Sequence, residues 1–187
     1  KLLEVRESVS GIQHIIYDDP RGLRHYDQPG LISTAQLVAR GAEWDKAHPG
    51  AWDALVEQID PQDVSVILYT SGTTGTPKGC MHTHHSLNAS TVTVAHWMGL
   101  LSHSVQLVAL PFFHITGMQN LLNGPVYGAG TLVLMPRWNR DEAARLIRQY
   151  GVTHWTAMPT MVIDFLASPR LQEYSLASIR RIGGGGA

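Results

Sequence analysis

Cysteine is nearly missing from this sequence: Cys80 stands alone among 187 residues, so no internal disulfide can form. With no partner residue for nucleophilic chemistry beside it, Cys80 is expected to act as a small space-filler. No run of about 18 apolar residues and no signal-peptide pattern occurs, which argues against an integral membrane segment and points to a reducing cytoplasm. Charge is also sparse, at 16% Asp, Glu, Lys and Arg with a formal net charge of −1 and both signs mixed along the chain. No basic stripe therefore advertises nucleic acid or an anionic membrane, and neither is an expected partner. Internal repeats and low-complexity tracts are absent, and nothing in the sequence fixes an oligomeric state. What remains is 44% hydrophobic, the composition of an ordinary globular protein.

Short apolar runs at 12–17, 64–69, 105–110, 131–135, 153–157 and 179–182 alternate with segments of helix length. This βαβ rhythm predicts an α/β fold, a largely parallel sheet flanked by helices. Asn139 and Glu142 make an N-cap and N3 pair, and Ala143, Leu146, Ile147 and Tyr150 recur at helical spacing until Gly151 supplies the stop. Pro159 opens a second helix that Pro169 closes, and a third is expected over 86–98. Residues 18–63 read as irregular excursions broken by Pro and Gly, with short helices at 34–40 and 51–59 and a turn at 60–63.

The run YTSGTTGTPKG over 69–79 departs from this background. Gly72, Gly75 and Gly79 permit positive φ and close backbone approach, so successive N–H groups can turn inward around an anion. Thr70, Ser71, Thr73, Thr74 and Thr76 add hydroxyl donors, Lys78 adds a mobile positive charge, and Pro77 stiffens the chain before it. Polyphosphate suits such a set, since each bond to a charged oxygen is worth roughly 1.5–3 kcal/mol. This is not a Walker A sequence, because Pro77 and Gly79 flank the lysine where that pattern needs Gly and Ser or Thr. A polar surface turn would explain the composition of the run but not its order.

In that order the run resembles the phosphate loop of the adenylate-forming acyl-CoA synthetases, a family that includes luciferases and the adenylation domains of peptide synthetases. LPFFHITG over 110–117 is similar to the family's aromatic-histidine element beside the acyl pocket, and RIGGGGA over 181–187 to the start of its adenine-binding loop. The resemblance implies that Thr70, Ser71, Gly72, Thr73, Thr74, Gly75, Thr76, Pro77, Lys78 and Gly79 wrap the β- and γ-phosphates of ATP. It likewise implies adenine contacts from Gly184, Gly185, Gly186 and Ala187. Lys78 and His114 carry the catalytic expectation, and His114, Gly117 and Met118 the substrate-binding one. Leu121, Leu122, Met158 and Met161 read either as acyl-pocket lining or as core.

By the same resemblance the parent enzyme joins a carboxylate to the α-phosphate of ATP, expels pyrophosphate and passes the acyl group to the CoA thiol, with Mg2+ accompanying the nucleotide. Small molecules are thus the expected partners. The aliphatic pocket candidates favour a fatty acid, making the parent a fatty acid–CoA ligase. His114 stands where peptide-synthetase domains tend to carry aspartate, which favours a CoA ligase over an amino-acid adenylation enzyme. A luciferase-type member and a non-catalytic nucleotide-binding module remain alternatives. Family members run to several hundred residues, whereas this chain opens at Lys1 without Met and stops within a glycine run. Residues 1–187 are accordingly expected to be an internal fragment of the large N-terminal domain. The family's Tyr-Gly-x-Thr-Glu segment, ribose-binding Asp, hinge and C-terminal-domain Lys have no counterpart here, so the fragment alone is expected to be inactive.

His82, His84 and His85 form an H-x-H-H cluster without the Cys or carboxylate companions of a zinc site, so no protein-held metal is expected. His84 is read as a local structural residue ahead of a helix. Trp97, Trp138 and Trp155 are read as packing residues with a polar handle.

Overall fold

The computed structural model describes residues 2–23, 25–70 and 75–184. These form two compact units divided between Ile59 and Asp60, at the turn the sequence flagged without marking it as a boundary. In the first unit α1 (Leu2–Ser8) precedes β1 (Ile15–Tyr17), which pairs in parallel with β2 (Leu31–Ser33). Ser33 then caps α2 (Thr34–Ala47) through a reciprocal box: its hydroxyl accepts from Gln36 N–H at 3.2 Å, and the Gln36 amide oxygen accepts from Ser33 N–H at 2.9 Å. The helix passes straight through Gly41, whose cost of about 1 kcal/mol is too small to end it near residue 40. A left-handed Gly50 leads into α3 (Ala51–Glu57). Residues 18–63 are therefore more regular than the sequence suggested, because β2 and a full-length α2 lie within them.

The second unit opens with a hairpin of β3 (Val64–Thr70) and β4 (Lys78–Thr83), antiparallel from Thr70↔Lys78 back to Val64↔Thr83. The sequence missed β4, because its glycine, cysteine and histidine content hides the strand. Thr83 ends the hairpin and caps α4 (His84–Met98), its hydroxyl accepting from Ser86 N–H at 3.2 Å. His84 is thus the first residue of the helix rather than a residue ahead of it.

From α4 the chain enters β5 (Val105–Val108), a π-helical segment (Gly117–Asn123) that runs into α5 (Gly124–Tyr127), and β6 (Thr131–Leu134). Then come α6 (Arg140–Tyr150), β7 (His154–Ala157), α7 (Pro159–Leu166), a 3-10 turn (Leu171–Glu173) and β8 (Arg181–Gly184). The four later strands make one all-parallel sheet in the order β6-β5-β7-β8, as the βαβ rhythm predicted. The runs at 12–17 and 64–69 instead fall in separate two-stranded sheets, the latter antiparallel because a short loop returns β4 directly beside β3. The helix at α6 begins and ends as its sequence dictates: Asn139 Oδ1 accepts from Glu142 N–H at 2.9 Å, and Gly151 closes it in the left-handed region at φ 61°.

One sheet face supplies Leu107, Val133, Trp155 and Ala157 to a core completed by Ala143, Ala144, Leu146 and Ile147 of α6 and Phe165 of α7. Within it Trp155 stacks on Trp138 with ring centroids 5.5 Å apart. Burying each such large apolar side chain contributes about 1.5–3 kcal/mol, so this layer anchors the sheet whose strand ends carry the site.

Candidate functional site at the carboxyl ends of the parallel strands

In the order β6-β5-β7-β8 the chain leaves β5 first to one side, for β6, and then to the other, for β7. Such a reversal leaves a crevice beyond the carboxyl ends of the two strands, where open α/β sheets bind ligands. A cleft of about 760 Å³ lies there. Leu110 and His114 reach it from the loop after β5, Thr116 from just before the π-helical segment and Asn120 from within it, and Thr156, Ala157 and Met158 from the end of β7. Ile182, Gly183 and Gly184 supply the β8 wall, and Val94, Trp97 and Met98 the wall from α4.

Two of the three motifs singled out in the sequence, about 70 residues apart, therefore meet in one cavity. His114 is exposed, and its Nδ1 accepts from Thr116 N–H at 3.2 Å. That bond leaves Nε2 as the protonated nitrogen of the neutral ring, available as a donor. The backbone around it is tightly pinned: His114 O accepts from Met118 N–H at 2.9 Å, and Pro111 O accepts from His114 N–H at 3.2 Å. Gly117 is buried, and a Cβ there would stand 2.0 Å from Pro111 O, so glycine is required to let this loop fold back on itself. Neither Gly117 nor Met118 lines the cleft; Thr116 and Asn120 do. Thr116 stands just before the π-helical segment and Asn120 within it, four residues apart, so the two side chains reach the same cleft.

Of the glycine run, Gly183 and Gly184 border the cleft, while Gly185, Gly186 and Ala187 lie outside the described residues. A Cβ at Gly184 would meet Ala157 O at 2.3 Å, and one at Gly183 would meet only the tip of the Met98 side chain, 3.2 Å away. The strand edge here is bare backbone. Met158 lines the cleft, whereas Leu121 is fully buried and Met161 packs against the core. Trp97 does not pack as the sequence suggested: it is 79% exposed at the cleft.

The third motif connects β3 to β4, and Ser71, Gly72, Thr73 and Thr74 lie outside the described residues. Gly75 has φ 78°, the left-handed conformation the loop reading needed, and Thr76, Pro77 and Lys78 are exposed. Gly79 differs from expectation. It lies in β4 opposite Tyr69 without positive φ, and a Cβ there would press on Ile67 at 2.8 Å and on the Tyr69 ring at 3.3 Å. Thr70 and Lys78 are cross-strand partners at the mouth of the hairpin. The 15-residue α4, roughly 22 Å long at 1.5 Å per residue, leads directly from this hairpin to the cleft wall.

Other clusters are less suggestive. Cys80 is exposed rather than space-filling, with Sγ 3.4 Å from His82 Nε2. Among the described residues no three His, Cys, Asp or Glu side chains converge as metal ligands. A second cavity, of about 500 Å³, is lined by Arg145, Arg148 and Arg170, but Arg145 is paired with Glu142, and Arg170 with Asp141 and Glu173. No helix among the described residues is long and apolar enough to cross a membrane.

A crevice at the strand reversal of a parallel sheet, with a hydroxyl-rich run ahead of it in the sequence, is what the comparisons with known proteins bear on. The family model described as AMP-binding enzyme matches residues 5–187, and the chain belongs to that family. It is 35% identical over 135 residues to a long-chain-fatty-acid–CoA ligase of Bacillus subtilis, covering 71% of this chain and 24% of that protein. To a 2-succinylbenzoate–CoA ligase of Bacillus licheniformis it is 41% identical over 107 residues, covering 57% of this chain and 22% of the other. The inhibitor-bound N-terminal domain of FACL13 from Mycobacterium tuberculosis superposes with a TM-score of 0.75 at 26% identity, covering 99% of this chain and 48% of that one. The chain thus spans about a quarter of the length of the curated relatives it matches.

Proposed function

We propose that this chain is the acid- and nucleotide-binding part of an enzyme that activates a carboxylic acid with ATP as an acyl-adenylate and then transfers the acyl group to the thiol of CoA. The observation that carries this reading is the convergence of His114 with Gly183 and Gly184 in one cleft at the strand reversal. In this scheme the amides and hydroxyls over 70–79, with Lys78, hold the departing pyrophosphate and offset its growing charge. The Gly184 end of β8 lets adenine lie against backbone, and His114 Nε2–H donates to the oxygen of the reacting carboxylate. Magnesium neutralises phosphate oxygens and needs only one or two carboxylate ligands. Among the described residues that line the cleft none is a carboxylate.

An aliphatic, fatty-acid-type acid is the substrate we favour, because Val94, Met98, Leu110, Met158 and Ile182 make an apolar lining with two flexible thioethers. An aromatic acid is the second reading, supported by the exposed Trp97 indole on the same wall. The lone cysteine fits a reducing cytoplasm as the setting.

The test is thioester formation by the full-length protein across short, long and aromatic acids. Turnover of straight-chain acids above aromatic ones is expected, and the reverse ranking would transfer the assignment to aromatic acids. Tight ATP binding with no thioester from any acid would leave a nucleotide-binding module, and adenylation of amino acids without CoA transfer would move the chain to another branch of the family.

A further inference from the structure

The end of α4 is tied down more completely than most helix ends. A helix leaves its last four carbonyls without intrahelical donors, and here each has one. Leu100 N–H donates to Ala95 O at 2.8 Å, and Gly99 N–H to His96 O at 3.1 Å. The last two carbonyls are taken by side chains from strands of the parallel sheet. Arg181, first residue of β8, donates from Nη1 to Trp97 O at 2.8 Å, and His154, first residue of β7, donates from Nε2 to Met98 O at 3.0 Å. The two residues held in this way, Trp97 and Met98, are the ones whose side chains reach the cleft from the helix end.

The His154 ring is itself fixed. It is 4% exposed, and Thr153 Oγ1 lies 2.7 Å from its Nδ1. A carbonyl only accepts, so Nε2 carries the hydrogen and the Thr153 hydroxyl serves Nδ1 in the neutral ring. On the cleft side the Met98 thioether lies over Gly183: a Cβ at Gly183 would find Met98 Cε at 3.2 Å and Sδ at 3.4 Å. The volume that a side chain at Gly183 would need is filled by Met98 instead.

We propose that Met98 sets the length of acyl group the cleft accepts, and that His154 and Arg181 are positioning residues that hold it over Gly183. The inference rests on the cleft being the acid site. An acyl chain that starts from the carboxylate at His114 and crosses the cleft toward Met98 ends against the thioether, and removing the three heavy atoms beyond Met98 Cβ opens that end. In a well-packed apolar pocket one methylene changes binding by roughly 10- to 200-fold, so the effect is large enough to read.

The experiment is calorimetry of the full-length protein with non-hydrolysable acyl-adenosine sulfamates whose straight acyl groups lengthen stepwise from acetyl to dodecanoyl. Wild-type affinity is expected to drop at one chain length. Met98→Ala is expected to move that drop about two to three carbons longer, the first newly admitted analogue gaining tenfold or more. Met98→Leu leaves the drop in place, and Met98→Phe moves it shorter, a result that decides the matter should Met98→Ala fail to fold. His154→Leu is expected to blur the drop while the acetyl analogue binds within about twofold of wild type, and His154→Gln, which keeps a donor, restores the sharp limit. An unchanged length limit in both Met98→Ala and Met98→Phe, with the acetyl analogue still bound, would overturn the proposal. Failure of every analogue to bind the wild-type full-length protein would instead overturn the assignment of the cleft.

Discussion

Trp138 donates its indole N–H to Asp164 Oδ2 at 2.8 Å, while Oδ1 of the same carboxylate accepts from Arg140 Nη1 at 3.1 Å. One acid on α7 thereby holds both the segment entering α6 and the first residue of that helix, directly above the Trp138–Trp155 stack. The ion pair alone is half-exposed and contributes at most about 1 kcal/mol. The indole bond matters more, because a partly buried N–H left without an acceptor costs about 1–3 kcal/mol. Asp164→Ala is therefore expected to lower unfolding free energy by about 2–3 kcal/mol in urea titration, and Asp164→Asn, whose amide oxygen still accepts, by about 1 kcal/mol or less. Equal losses in the two variants would show that the charge, not the indole bond, matters.

His154 gives stability a pH dependence. Burial is the largest influence on its ring and disfavours the charged form, and the nearby positive charges of Arg181 and Arg180 push the same way, so its pKa lies below the usual 6.5 although the Met98 carbonyl opposes the shift. The unfolded chain then binds more protons than the folded one across the window from about 6.5 downward to the folded value. Stability rises with pH wherever the unfolded state binds more protons. The contribution is full above the unfolded value and is lost as pH falls toward the folded one. Urea midpoints measured from pH 8 to pH 5 are expected to decline, and in His154→Gln the decline is expected to flatten. An identical slope in the variant would assign the pH dependence to other groups.

Much of this architecture was legible in the residues. Asn139, Glu142 and Gly151 mark α6 because caps are local chemistry, and apolar runs mark all four strands of the parallel sheet, most clearly β5 and β7, which are covered on both faces. What escaped prediction depends on non-local contacts. Gly79 reads as a loop glycine until Tyr69 and Ile67 are placed across the hairpin from it. Trp97 reads as core because nothing in sequence tells which face of α4 meets the sheet. Thr116 and Asn120 were passed over because single polar residues in a short helical stretch carry no motif, and only the fold turns them toward the cleft.

Lys78 opens β4 with its side chain exposed, so it contributes little to the fold. Lys78→Ala is expected to leave the melting temperature unchanged. In the full-length protein it should weaken ATP binding by roughly ten- to a hundredfold, the worth of one charged hydrogen bond, with carboxylate binding retained. Calorimetry with each ligand separately measures both, and equal losses would remove Lys78 from the phosphate site.

The glycines around the cleft differ in what an added methyl would strike, and this orders their substitutions. At Gly117 a Cβ would lie 2.0 Å from Pro111 O and 2.7 Å from Pro111 C, and backbone atoms of a loop pinned by His114 cannot move aside. At Gly184 it would lie 2.3 Å from Ala157 O, but β8 is the edge strand of the sheet and can yield somewhat. At Gly183 the nearest atom is Met98 Cε at 3.2 Å, the end of a flexible chain. Gly117→Ala is expected to cost about 3 kcal/mol or more and Gly184→Ala about 1–3 kcal/mol. Gly183→Ala is expected to cost less than either, while displacing the thioether into the cleft. Urea unfolding of the three variants gives the ranking directly, and a Gly183→Ala variant less stable than Gly117→Ala would mean that the loop after β5 does not fold back against Pro111 as described.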